Sequence, residues 1–302
     1  MSDSTLSVLI DAFGQSDVGL VRKNNEDSFL VADLTTGLTT PDAFALNQAI
    51  GDKGSLLLVA DGMGGVEAGE VASRMAAESV AKFFVEQLST KPSVDQRTFV
   101  EAFKQSVHEA NRSVFEEGQR DHHRRGMGTT LTAAAVHGQF IFFAQLGDSR
   151  AYLARNNSIT AMTRDQSLVA ELVASGSLSS QEAKTHPQRN VILQALGVQS
   201  QVEVVLSFTQ LKRGDQVVLC SDGLWGKVEA EEIKELLEKR LEPKTICQHL
   251  IQLARERGGE DNITVIVACF HGEGLPEPAP DEDLSYEPIQ DKPRWRFWPW
   301  GS

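Results

Sequence analysis

The sequence predicts an α+β fold of antiparallel sheets covered by helices, on three observations. Short apolar runs recur along the chain, and several join through short polar or glycine-containing turns such as Val136-His137-Gly138-Gln139. Such turns suit antiparallel hairpins; a βαβ crossover needs a far longer connection. Longer segments carry apolar residues at helical spacing, and strands as apolar as Leu56-Leu57-Leu58-Val59 call for helices as cover. No apolar run approaches the roughly 18 residues of a membrane span, so the 302-residue chain, 41% hydrophobic, reads as a soluble, core-forming protein.

Strands are expected over 28–33, 55–60, 129–137, 139–146, 151–155, 202–208, 216–221 and 263–270. Residues 34–53 read as an inserted loop. A first helix should run from Ala68 to Leu88 with Ala72, Met75, Ala76, Val80 and Phe83 inward. A second covers 95–117, where Phe99, Phe103, Val107, Ala110 and Val114 share one face behind a Ser93-x-x-Gln96 capping box, and Gly118 should end it. The segment 163–197 carries two further capping signals, Thr163-x-x-Gln166 and Ser179-x-x-Glu182, and reads as a small helical excursion. A shorter helix is expected over 230–239. The last has Pro243 in its first turn and ends at Arg257, before Gly258-Gly259.

With 29 Lys+Arg against 42 Asp+Glu, the formal charge of −13 repels a phosphate backbone, and no nucleic-acid role is expected. The cluster His122, His123, Arg124, Arg125 reads as a solvated loop. Three cysteines, Cys220, Cys247 and Cys269, lack metal or redox spacing and read as core thiols in a reducing compartment. The N-terminus shows no signal peptide, so a cytoplasmic address is expected, and a monomer.

Five aspartates stand at strand ends. Asp61, Asp148 and Asp222 follow apolar runs, the first and last in Asp-Gly pairs, while Asp27 and Asp261 precede them. Any one such aspartate reads as a turn residue. In antiparallel sheets strand exits neighbour strand entrances, so all five can meet on one edge, where their repulsion demands a cation. An all-oxygen donor set with no His or Cys selects Mg²⁺ or Mn²⁺ over zinc, and the Gly62 carbonyl is a further candidate ligand. Two such ions about 4 Å apart activate a bridging water and clamp a phosphoryl group. Arg22, five residues before Asp27, is the candidate phosphate-binding cation.

These residues resemble a known family, the PP2C-type (PPM) metal-dependent serine/threonine protein phosphatases in their bacterial form. The matching stretches are VGLVRKNNEDSF (18–29), LVADGMGGVEAGEVAS (58–73), GMGTTLTA (126–133), GDSRAYL (147–153), THPQRNVILQALG (185–197), LCSDGLW (219–225) and GGEDNITVIV (258–267), in family order across about 10–270. The resemblance implies two antiparallel β-sheets packed as a sandwich flanked by helices on both sides, with a dinuclear Mn²⁺ or Mg²⁺ centre at one end. It implies that Asp61 bridges both metals with the Gly62 carbonyl beside it, that Asp222 and Asp261 are further ligands, and that Asp27 helps hold the second ion, with Glu26 beside it. Arg22 would bind phosphate, Asp148 with Asp222 would form a weaker third site, and 163–197 would be a flap.

Two departures stand out. Met63 occupies the place of a histidine proposed as general acid in eukaryotic relatives, and Ala174 stands where some bacterial relatives place a third-site aspartate. The implied function is hydrolysis of phosphoserine and phosphothreonine in phosphorylated proteins, opposing a cognate Ser/Thr protein kinase. A phosphoprotein-binding regulator on the same fold and a metal-dependent phosphodiesterase are the alternatives.

Residues 1–272 are thus the expected catalytic domain. Six of the ten prolines and three of the four tryptophans fall in the last thirty residues. Residues 273–291, acidic and proline-rich, should form an extended tether. Beyond it, 292–300 is basic and aromatic, with Trp295, Phe297, Trp298 and Trp300, and reads as a docking element for a protein partner or a lipid headgroup layer.

Overall fold

The computed structural model describes residues 7–40, 44–64, 67–280, 282 and 284–289. In chain order the strands are β1 (Leu9–Asp17), β2 (Asp27–Asp33), β3 (Leu38–Thr40), β4 (Phe44–Ala49), β5 (Ser55–Met63), β6 (Gly128–Thr129), β7 (Leu131–His137), β8 (Phe140–Leu146), β9 (Arg150–Arg155), β10 (Ser158–Ala161), β11 (Val205–Gln210), β12 (Gln216–Cys220), β13 (Ile263–His271) and β14 (Glu287–Pro288). The helices are α1 (Ala68–Ser89), α2 (Gln96–Arg120), α3 (Leu168–Ala174), α4 (Ser180–Thr185), α5 (Asp222–Trp225), α6 (Ala230–Leu237) and α7 (Pro243–Glu256).

One sheet runs β10-β9-β12-β13-β1-β4 and the other β14-β11-β8-β7-β5-β2-β3, with β6 beside β5 and every pairing antiparallel. Strand alternation explains the layering. In β5, Leu57 and Val59 point between the sheets, while Leu56, Leu58 and Ala60 face α1 and α2. In β12, Leu219 faces the other sheet, while Val218 and Cys220 pack against α5, α6 and α7. Three cores therefore separate four layers, the sandwich flanked by helices on both sides. No helix among the described residues is long and apolar enough to cross a membrane.

Several expectations shift. Phe84, not Phe83, is the buried aromatic of α1, stacking on Phe103 of α2 with ring centroids 5.2 Å apart. The N-cap of α2 is Asp95, whose carboxylate accepts from the Thr98 amide at 2.7 Å, and Ser93 plays no part. Gly118 does not end that helix. It lies buried within it, where an added Cβ would approach the Arg124 carbonyl at 3.3 Å, so close packing is what it serves. The expected loop 34–53 holds β3 and β4, which extend one sheet each. In 163–197, Ser179 and Glu182 form the predicted capping box of α4, whereas Ser167 rather than Thr163 caps α3.

The stretch beyond 272 is extended but is not a free tether. Leu275 is buried in the core between the sheets, Leu284 packs against it, and Ile289 packs on the helix-side core. Glu287–Pro288 pair with β11, and Glu282 receives Arg155 at 3.0 Å. Its three widely spaced apolar residues were masked by an acidic, proline-rich average. The basic-aromatic element 292–300 lies outside the described residues.

Candidate metal centre

The two sheets each bring acids to the same end of the sandwich. Asp27 opens β2 directly across from Asp61 of β5, in cross-strand register. On the other sheet β12 ends at Cys220, paired with Val265, so Asp222 and Asp261 flank neighbouring strand ends. Asp148 lies in the turn that carries the chain from β8 in one sheet to β9 in the other. The expectation of one shared sheet edge is corrected: the acids face each other across the ends of two sheets.

Contacts tie the halves together. Ser221 donates to Asp27 Oδ2 at 2.7 Å across the sheets and accepts the Thr264 amide at 3.0 Å. The Asn262 side chain accepts from the Glu26 amide at 2.8 Å and donates to the Val18 and Asn24 carbonyls, pinning the Arg22 loop over the β13 entrance. Asp61 is clamped through its backbone: its amide donates to Thr130 Oγ1 at 3.0 Å and its carbonyl accepts from Thr129 Oγ1 at 2.9 Å. Among these supports, Thr129, Thr130 and Ser221 fall inside expected strands, and Asn262 simply follows Asp261. The only signal was their adjacency to the acids.

Glycine is required behind both Asp-Gly acids. A Cβ on Gly62 would sit 2.2 Å from the Gly69 carbonyl, and one on Gly223 would sit 1.9 Å from the Asn262 carbonyl. Each Asp-Gly pair therefore lets two backbones touch behind the acid, which a mere turn would not need.

The electrostatics are those of acids crowded without neutralisation. Burial, first, raises the Asp27 carboxyl to about 7 against the Ser221 and Thr264 hydrogen bonds, with Asp222 and Asp261 adding to the rise. Asp148 is likewise raised to about 7, by burial and then by Asp222, and Asp222 to about 6, by burial and then by Asp261. Asp61, though in part reachable by solvent, is pushed well above the ordinary carboxylate range by the protein packed round it and by all four other acids. Arg22 Nη2 donates to Asp261 Oδ2 at 2.7 Å from the rim, its side chain half exposed.

The donor set fits a hard divalent cation. Asp27 Oδ1 and Asp222 Oδ1 are buried without a hydrogen-bond partner, and every side chain in the group offers oxygen. No three of these groups, among the described residues, close into a ready cage. Water ligands, which Mg²⁺ in particular retains, would complete the shells.

The chain is similar to known proteins over most of its length. A family profile described as Protein phosphatase 2C matches residues 32–258. The serine/threonine phosphatase stp of Listeria monocytogenes is 34% identical over 253 residues, covering 84% of this chain and 93% of that protein. The fold superposes on the crystal structure of Stp1 from Staphylococcus aureus with a TM-score of 0.75 at 30% identity, covering 89% of this chain and 98% of that one. A crystal structure of the catalytic domain of the serine/threonine protein phosphatase PstP in complex with two manganese ions superposes with a TM-score of 0.71 at 34% identity, covering 88% and 100% of the two chains.

Proposed function

The chain belongs to the protein phosphatase 2C family, and from that premise we propose that it hydrolyses phosphoserine and phosphothreonine in proteins at a centre of two Mn²⁺ or Mg²⁺ ions, opposing a Ser/Thr protein kinase. The observation that carries the reading is the pair of buried, unpartnered carboxylate oxygens on Asp27, beside Asp61 in one sheet, and on Asp222, at the end of a strand in the other. Asp27, Asp61, Asp222, Asp261 and the Gly62 carbonyl would hold the ions. When bound, two such ions supply Lewis-acid charge and an acidified water for in-line attack on phosphorus.

The chain's own residues do the rest. Arg22 swings between Asp261 and a phosphate, whose oxygens its planar guanidinium matches in pairs. Attack by water rather than by a side chain is supported by the two nucleophile-type groups next to Asp222. The Cys220 thiol is buried and pushed up to about 12, and the Ser221 hydroxyl is buried and committed to Asp27. With Met63 beside Gly62 rather than an acid or base, the proton that turns the departing alkoxide oxygen into a hydroxyl comes from water or another residue. The free thiols Cys220, Cys247 and Cys269 support a reducing, cytoplasmic address.

The test is turnover of a phosphothreonine peptide. It should require Mn²⁺ or Mg²⁺, stop in EDTA, and fall by at least about a hundredfold in Asp222→Ala, as for lost Lewis-acid catalysis. Full turnover by metal-free protein or by that variant would end the two-ion reading.

A further inference from the structure

Beside the metal acids lies an arginine that does not pair with the nearest one. Arg150 opens β9 two residues after Asp148, which lies in the turn before it, and the Arg150 charge acts to lower the Asp148 carboxyl. An arginine so placed would ordinarily close a paired hydrogen bond to the carboxylate and compete with any cation there. In this structure each of its three nitrogens is engaged elsewhere. Nε donates to Asp165 Oδ1 at 3.0 Å, Nη2 to Asp165 Oδ2 at 2.7 Å, and Nη1 to the Tyr152 hydroxyl at 3.2 Å. The guanidinium carbon lies 3.7 Å from the centre of the Trp225 ring, whose Nε1 in turn donates to the Asp148 carbonyl at 2.9 Å.

Asp165 itself stands at the root of the 163–197 flap, which is bonded to the same turn: Gln166 N donates to the Gly147 carbonyl at 2.8 Å and Gly147 N to Gln166 Oε1 at 3.0 Å. Among the described residues no lysine or arginine forms an ion pair with Asp148. We propose that Asp165 is a positioning residue: by occupying Arg150 against the Trp225 ring, it holds the guanidinium off Asp148 and keeps that carboxylate available to a divalent cation at the flap root. The inference rests on the metal-centre reading above and concerns a cation beyond the two principal ones.

The test is calorimetric titration of the metal-stripped full chain with Mn²⁺, with circular dichroism confirming that each variant is folded. Asp165→Asn should weaken the weakest Mn²⁺ step by roughly tenfold, as for residues that orient metal ligands, and leave the tighter steps within about twofold. Arg150→Gln added to Asp165→Asn should restore the weak step, because the competing charge is then gone. Arg150→Gln alone should bind at least as tightly as the parent. A purely structural role for Asp165 would not be rescued by deleting its partner. The proposal is overturned if Asp165→Asn binds like the parent, if the double variant stays weak, if Arg150→Gln alone weakens binding, or if the parent shows no step weaker than two tight ones. That last result leaves the two-ion centre standing; no Mn²⁺ binding at all by the parent would remove both.

Discussion

Asp27 carries the energetic problem of the site in one residue. It is 8% exposed, has one oxygen satisfied by Ser221 and the other by nothing, and holds its proton up to about 7. The sign of the pH dependence follows. A carboxyl whose folded value lies above its unfolded value, 3.8 here, binds a proton more tightly when folded. Its contribution to stability is complete below pH 3.8 and is lost as pH rises through about 7, with Asp148 acting in the same window and Asp222 ending near about 6. The thermal midpoint of metal-free protein should therefore fall from about pH 5 to about pH 7.5 more steeply than that of Asp27→Asn, and excess Mn²⁺ at the upper pH should recover it. Parallel pH profiles for the two proteins would contradict this. The acids themselves were legible because strand-Asp-Gly is a local signal. Ser221 and Asn262 were not, because what they join lies 194 to 244 residues away along the chain.

Elements were legible where periodicity was strong and blurred at their ends. The face of α1 was placed correctly at Ala72, Ala76 and Val80, yet its last inward aromatic slipped by one position because two phenylalanines are adjacent. Only the neighbouring helix chooses between them, since Phe84 fits between Phe99 and Phe103. In urea unfolding, Phe84→Ala should cost about 3–5 kcal/mol and Phe83→Ala about 1 kcal/mol or less; equal costs would refute the packing. Strand β1 escaped notice for a related reason. Its inward face dwindles from Ile10 to Ala12 and Gly14, leaving little apolar signal, and Gly14 is small because a Cβ there would meet the Phe29 ring at 2.6 Å.

At the scale of the molecule, the stretch after Gly272 belongs to the fold. It adds a strand to the eight-stranded sheet, sends Leu275 into the core between the sheets and seats Glu282 on the buried Arg155–Asp215 pair. A chain stopped after Gly272 should lose about 3 kcal/mol or more, since each apolar side chain withdrawn from water contributes about 1.5–3 kcal/mol. A chain stopped after Ile289 should match the full-length midpoint. Equal stability of the two truncations would show that the docked stretch is only resting there. The sequence by itself determined the hairpin-rich α+β class, the long helices, the five acids and the arginine, because turn chemistry, periodicity and motif spacing depend on near neighbours. Tertiary structure alone decided that the acids meet across two sheets, that Ser221 and Asn262 brace them, that Asp165 restrains Arg150, and that the tail is packed. Each of these depends on which buried faces meet, and distant segments settle that together by excluding water from their shared cores.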